Sequence, residues 1–266
     1  MSAITHWKEF MNRKKIMTGL LITVTAFAAT AVASDHENGM KVIPVETYAC
    51  KYNEGKGAED LEKVITMWTA WADKQNLDNY AAWTLTPYYF GPEQEFDVIW
   101  LGAGKDAVAL GAAQDMYLAE GGEIAKGFNE VLNCDAHGNF ASFNFKAAPE
   151  GAPPEKMVVT FSDCSYNEGA TFDALTAAMG KWAQHLNDED SQAAIFHWYP
   201  AFGGGGEKFD FKWLETHENL AALGKDYDNY GTGGGYKVNR ELFSELIECD
   251  STRAYIAKSR RHVQLR

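Results

Sequence analysis

Cys50-Lys51-Tyr52-Asn53-Glu54-Gly55 returns as Cys164-Ser165-Tyr166-Asn167-Glu168-Gly169, 114 residues later. The match runs outward from there in unbroken order. At the same offset Leu61 falls on Leu175 and Trp68 on Trp182. At 113, Pro87 falls on Pro200 and Phe96-Asp97-Val98-Ile99-Trp100-Leu101 on Phe209-Asp210-Phe211-Lys212-Trp213-Leu214. Leu110-Gly111 then meets Leu223-Gly224, and Tyr117 meets Tyr230. At 115, Phe128 falls on Phe243 and Cys134-Asp135 on Cys249-Asp250. A preserved order with so small a drift means one unit written twice. A Pro-containing connector, residues 147–156, joins the copies. The organisation read from this is an extension at 34–44, repeat one at 45–146 and repeat two at 157–266.

Each copy carries the periodicities of βαββαβ. In copy one, residues 45–52 read as a strand. Leu61, Val64, Ile65, Trp68 and Trp71-Ala72 recur at helical spacing over 60–74. Residues 80–89 are aromatic-rich and suit a strand, Gly91-Pro92 interrupts, and 96–101 is the second arm of a hairpin. Residues 106–118 and 124–132 form a helix broken at Gly121-Gly122, and 141–145 closes the unit as a strand. Copy two repeats this with strands at 158–164, 194–199, 209–214 and 253–257 and helices at 172–186 and 239–247.

This element order is the split βαβ, ferredoxin-like motif. Its sheet has helices on one face, so the other face needs cover. The predicted fold class is therefore α+β, with two tandem ferredoxin-like repeats whose sheets pack face to face as one pseudo-dimeric barrel. The alternative is two side-by-side modules with no shared cavity. In element order and tandem duplication the chain resembles the dimeric α+β-barrel superfamily, which includes antibiotic-biosynthesis monooxygenase-like and stress-responsive A/B-barrel proteins. The resemblance spans about 200 residues and includes no catalytic motif. The Asn/Trp/His set of the haem-degrading members finds no matching positions. Two chains usually build the barrel in that superfamily; here one chain could close it, so a monomer suffices.

Four cysteines allow three pairings. The duplication favours Cys50–Cys134 and Cys164–Cys249. Topology agrees, because the first and last strands of a split βαβ sheet are antiparallel neighbours. The alternative is four buried free thiols. No CxxC or HxxxH spacing supports a metal site or a redox protein.

Arg13, Lys14 and Lys15 precede an apolar run at 16–33 that ends in Ala31-Val32-Ala33. This is the pattern of a signal peptide at 1–33, cleaved after Ala33, with an uncleaved anchor as the alternative. Met11 and Met17 are alternative starts. The chain of 266 residues carries a net charge of −13. Removing Lys8, Arg13, Lys14, Lys15 and Glu9 leaves 233 residues with 20 basic and 36 acidic side chains, a net −16. Such acidity argues against nucleic acid and anionic lipid as partners. No second long apolar run follows, so the predicted location is periplasmic or secreted, with no membrane contact after cleavage.

The candidate catalytic residues are Glu54, Glu168, Asp97, Asp210 and His197. Glu54 and Glu168 could bring two carboxylates to one cavity for acid–base work; against this, Asn caps helices and Gly allows φ > 0 in a turn. Strand alternation turns Phe96, Val98 and Trp100, like Phe209, Phe211 and Trp213, toward the helices. Asp97 and Asp210 then face a barrel interior beside Ile99 and Lys212. His197 has no counterpart in copy one, where Thr84 stands; it reads as a proton shuttle, a haem ligand or a core residue. Tyr52, Asn53, Tyr166, Asn167 and Lys212 are the candidate ligand-binding residues. The glycine runs at 203–206 and 233–235 lack the Lys-Ser/Thr of a phosphate loop. No cofactor is predicted; haem stays open through His197. The sequence thus predicts an exported barrel binding a small, partly apolar molecule between its sheets. An oxygenase- or isomerase-type enzyme without cofactor is the catalytic version, and an envelope binding or assembly protein is the alternative.

Overall fold

The computed structural model describes residues 41–151 and 154–263. The expected signal peptide lies outside the described residues. Repeat one runs β1 (Val42–Tyr52), α1 (Ala58–Lys74), β2 (Tyr80–Tyr89), β3 (Val98–Gly104), α2 (Ala107–Glu120), α3 (Gly122–Val131) and β4 (Leu132–Lys146). Repeat two runs β5 (Lys156–Tyr166), α4 (Phe172–Asp188), β6 (Ala194–Phe202), β7 (Phe211–His217), α5 (Leu220–Gly231), α6 (Gly235–Phe243), β8 (Ile247–Cys249) and β9 (Arg253–Arg261).

Local chemistry sets these elements. In α1 the buried Leu61, Val64, Ile65, Trp68 and Ala72 form one stripe, with Glu59 and Asp60 in the first turn and Lys74 in the last, matching the helix dipole. The Asp106, Thr171 and Asn219 side chains accept from the backbone N–H three residues on and start α2, α4 and α5. Asp106 and Asn219 are repeat equivalents, so the cap was duplicated with the helix.

Every strand pairing is antiparallel. Repeat one orders its strands β4-β1-β3-β2; repeat two orders them β9-β5-β7-β6. β2 pairs with β9 and β4 with β6, which joins the two sheets at both edges. β8 and β9 share the side of β5 opposite β7, with residues 250–252 between them. The result is a closed antiparallel barrel of eight staves, the two ferredoxin-like sheets facing each other across it. Closure leaves the barrel without an exposed edge.

Alternation along each strand sorts side chains between barrel and helices. Val45, Leu85, Leu101, Phe140, Phe161 and Trp198 lead the cluster on the barrel side, drawn from both repeats. Two clusters lie under the helices of repeat one and one under those of repeat two. The barrel interior is thus packed with side chains, which corrects the expected cavity between the sheets. Val98, Trp100, Phe211 and Trp213 lie under the helices and Ile99 packs on the barrel side. Phe96 and Phe209 break the expectation by packing on the barrel cluster. They precede β3 and β7, so strand alternation does not reach them. Of the residues expected to form one helix at 239–247, α6 ends at Phe243 and Ile247 opens β8.

Cys50 is joined to Cys134 and Cys164 to Cys249, each pair directly opposite in the sheet. No helix among the described residues is long and apolar enough to cross a membrane.

Candidate functional site

The duplicated Tyr-Asn-Glu-Gly loops are turns that lock each repeat. The Asn53 side chain donates to the Asn129 carbonyl and the Asn167 side chain to that of Ser244. Gly55 and Gly169 hold φ of 72° and 81°, the left-handed region a turn here requires. Asp97 Oδ2 accepts from the Tyr52 N–H while its own N–H donates to the Cys50 carbonyl; Asp210 repeats both bonds with Tyr166 and Cys164. Asp97 and Asp210 are exposed and fix the strand entry, so they do not face a barrel interior as expected. Glu54 and Glu168 are exposed at separate turns and do not line the cleft described below. Lys212 pairs with Asp163 at 2.5 Å and lies 4.1 Å over the Phe209 ring; it does not pair with Asp210. Tyr166 and Tyr199 share a hydroxyl hydrogen bond of 2.8 Å.

His197 is fully buried among the rings of Phe145, Phe211 and Trp213, whose centroids stand 4.5, 4.6 and 4.9 Å away. Neither ring nitrogen has a partner. Burial drives its pKa down to about 3, so it is neutral. Sealed in this way, it supplies no haem ligand and shuttles no proton.

The cavity lies elsewhere. A cleft of about 780 Å³ opens in repeat two between the outer face of the sheet and α4, α5 and α6. Trp213, Trp182 and Phe243 are its apolar walls, and Tyr227, Tyr230 and Tyr236 stand toward solvent. The buried Thr160, Ser162 and Ala193 lie at its floor, and the exposed Thr252 also lines it. This volume lies within the range of small-molecule sites.

The same place in repeat one is plugged. Glu46, Tyr48, Tyr80 and His137 stand there at the positions of Thr160, Ser162, Ala193 and Thr252. Strand register supports the correspondence: Glu46 faces Gly102 and Tyr48 faces Trp100, as Thr160 faces Glu215 and Ser162 faces Trp213. Glu46 is 3% exposed and accepts from Tyr80 (2.8 Å) and Gln114 (2.7 Å), with His137 Nε2 at 3.0 Å. Trp100 Nε1 donates to the Tyr80 hydroxyl, and Tyr48 stacks on His137 at 3.8 Å. Burial pushes the Glu46 carboxyl up, but its three hydrogen bonds outweigh that and hold it below the ordinary value. Tyr80 needs Gly102, since a Cβ there would sit 2.0 Å from its hydroxyl.

Repeat two reverses the sizes. Where repeat one has Gly102, Gly104 and Ala113, it has Glu215, His217 and Asp226. His217 is buried behind the cleft, with Nδ1 3.1 Å from Asp226 and Nε2 3.5 Å from Glu215. Burial opposes its charge, but the two carboxylates prevail and raise its pKa to about 9. Asp226 also accepts from Ser191, and Glu215 from Trp213 Nε1 at 3.1 Å. Lys146 pins the adjoining loop through the carbonyls of Ser191 and Ala193. Two carboxylates of the cleft lining, Glu215 and Asp226, therefore share the buried His217.

Among the described residues no group of three His, Cys, Asp or Glu could hold a metal ion. Within the cleft lining, His185 on α4 is the one imidazole, its ring packed against that of Trp182 at 5.2 Å. It is the residue that would hold a haem iron there, with Arg240 as the lining cation to meet the haem carboxylates. The residues that the two repeats share give no sign of this site, because the cleft is made by those that differ.

No protein-family model and no curated protein sequence matches the chain. Solved structures do. A protein provisionally named a chlorite dismutase is 12% identical with a TM-score of 0.51, over 82% of this chain and 95% of its own. A provisionally named monooxygenase from Lactobacillus acidophilus is 9% identical with a TM-score of 0.50, over 85% and 97%. At such identities the likeness is one of fold, and the fold it shows is the ferredoxin-like α+β barrel that this single chain closes.

Proposed function

We propose that this chain is an exported protein that binds a flat, partly apolar small molecule in the cleft of repeat two. One observation carries the reading: two copies of one unit differ at this place, and only repeat two is hollowed where repeat one is filled by its own side chains. Aromatic walls supply apolar contact for a flat ring, and Glu215 and Asp226 supply the few polar groups that orient it. The paired disulfides support an oxidising compartment. The two carboxylates at the inner end suit proton transfer, in keeping with an enzyme of oxygenase or isomerase type.

The test is native mass spectrometry of the protein purified from its host, followed by titration with haem and with anilinonaphthalenesulfonate. A retained small mass, or saturable binding lost on Ser162→Trp, is the expected result. The absence of any retained mass, together with no saturable response to either titrant, overturns the reading.

A further inference from the structure

One wall of the cleft is tied to the sheet by a disulfide. α6 and β8 supply that wall, from Tyr236 through Arg240 and Phe243 to Ile247 and Cys249. Phe243 rests on the rings of Trp213 and Trp182, at 5.2 and 6.2 Å. The Asn167 turn holds Ser244 and Leu246, as the Asn53 turn holds Asn129 and Val131. Beyond these contacts the arm meets the sheet over a short stretch. β8 pairs with β5 at three positions, the last being Cys164 opposite Cys249. Asp250 then exchanges two bonds with Asp163, and the ladder is broken until β9 begins at Arg253. Repeat one anchors the equivalent arm differently. There α3 runs directly into β4, which pairs with β1 from Leu132 to Phe143 with a single shift of register. Phe128 of α3 packs on Trp100, over the filled interior around Tyr80 and Glu46. The two bridges hold equivalent positions and carry different loads.

We propose that the Cys164–Cys249 bridge is a redox latch on the cleft: intact, it holds the α6–β8 arm as a wall, and its reduction by a small dithiol loosens that arm and weakens the cleft's hold on its ligand. This rests on the cleft being a binding site and names how that site is regulated. The bridge is placed for exchange from the cleft side. Cys249 is exposed and lines the cleft, whereas Cys164 is fully buried in the cluster of Leu175, Met179 and Phe211. Cys134 is exposed as well, so the two bridges differ in what they hold and not in their reach. A thiolate of the dithiol attacks Sγ of Cys249, and Cys164 leaves and takes up a proton as a buried thiol. The second thiol of the reagent displaces Cys249 from the mixed disulfide. Two electrons thus enter the chain, and the reagent departs as a cyclic disulfide. With the cross-link gone the arm opens locally, since a three-position ladder, two turn bonds and the packing of Phe243 and Ile247 are few contacts for its length. An arm closed roughly a tenth of the time weakens binding about tenfold. The coupling is reciprocal: a molecule seated against this wall disfavours reduction of this bridge and not of the other.

The test compares the disulfide-bonded chain with the double variants Cys164→Ala/Cys249→Ala and Cys50→Ala/Cys134→Ala. Hydrogen exchange read by mass spectrometry should quicken at 235–249 in the first variant, with no matching change at 122–134 in the second. Anilinonaphthalenesulfonate should bind the first variant about tenfold more weakly than the intact chain, and the second with unchanged affinity. In the intact chain, dithiothreitol followed by alkylation times the loss of each bridge, so a variant that fails to fold leaves the test in place. Saturating dye should slow the loss of Cys164–Cys249 and leave that of Cys50–Cys134 unchanged. Where haem alone binds, it takes the dye's place. Equal protection of both bridges would mean general stabilisation by the bound molecule and overturns the latch. So does unchanged exchange at 235–249, or unchanged affinity, in a folded first variant. If haem or the dye binds the intact chain and these contrasts are missing, the latch falls and the cleft reading stands. If neither binds, the cleft reading falls and takes the latch with it.

Discussion

His217 and His197 are both buried, yet they are held in opposite protonation states, and each makes the fold respond to pH in its own direction. His217 sits between Glu215 and Asp226 with its pKa raised to about 9, against an ordinary value near 6.5. Its contribution is fully present below about pH 6.5 and is lost as pH rises through about 9. Unfolding free energy should therefore decline across that window by about 3 kcal/mol. The decline should be absent in His217→Gln; denaturant titrations at pH 6, 8 and 9.5 check it, and an equal decline in the variant sinks the assignment. His197 has the reverse sign. Its pKa is lowered to about 3, so the unfolded chain takes up a proton near pH 6.5 that the folded chain refuses. Stability is lost as pH falls from about 6.5 toward 3. His197→Phe keeps the aromatic packing and removes two unpartnered ring nitrogens. It should leave the melting temperature at pH 7.5 unchanged or higher and flatten its fall between pH 6 and 4. A variant that melts lower at pH 7.5 and keeps the full acid dependence would show that His197 has a partner not seen here.

At the scale of elements, each repeat is drawn together at the point where its first and last strands meet. The Cys50–Cys134 bridge spans 84 residues and the Cys164–Cys249 bridge 85, so each ties nearly a whole repeat. Loops of this length make a disulfide worth about 2–5 kcal/mol, largely through the unfolded chain. The double variant Cys50→Ala/Cys134→Ala should lose stability by that amount in a chemical denaturation series and keep its circular dichroism spectrum, because the sheet and the Asn53 turn survive. A loss under about 0.5 kcal/mol would mean that the unfolded chain is already compact. This level was largely legible in the sequence. The motif holding Cys50, Asn53 and Gly55 recurs because each of its parts has a local job: bridge, turn anchor and positive φ. Phe96 and Phe209 depart from the strand alternation because they lie two residues before β3 and β7 begin. Asp97 and Asp210 depart from it with them, since the Tyr52 N–H of β1 claims the Asp97 carboxylate and the Tyr166 N–H of β5 claims that of Asp210.

For the whole molecule, the duplication announced the barrel but hid the cleft. Residues shared by both copies build the scaffold, and a search for shared residues returns scaffold. The cleft is written in the differences: Glu46 against Thr160, Tyr80 against Ala193, Gly102 against Glu215, Ala113 against Asp226. One copy is filled by its own side chains and the other is open, an asymmetry that a tandem arrangement permits and a symmetric pair of identical chains does not. Closure also makes the copies interdependent. β2 and β4 are edges of repeat one until β9 and β6 cover them, and the barrel-side cluster takes residues from both. Across the seam Arg260 of β9 holds Glu62 of α1 in a two-pronged pair and donates to Thr84, while Arg261 donates to the Leu77 carbonyl. A fragment of residues 41–150 should keep its own disulfide yet expose two strand edges and one apolar sheet face. It should therefore associate with a second copy of itself, two sheets closing the barrel that one chain closes here. Light scattering coupled to size exclusion should give a dimer or larger species at micromolar concentration. Adding the fragment 154–263 should convert it to a one-to-one complex. A folded monomeric fragment, with cooperative unfolding of its own, would show that the repeats are independent modules and that closure follows folding without stabilising it.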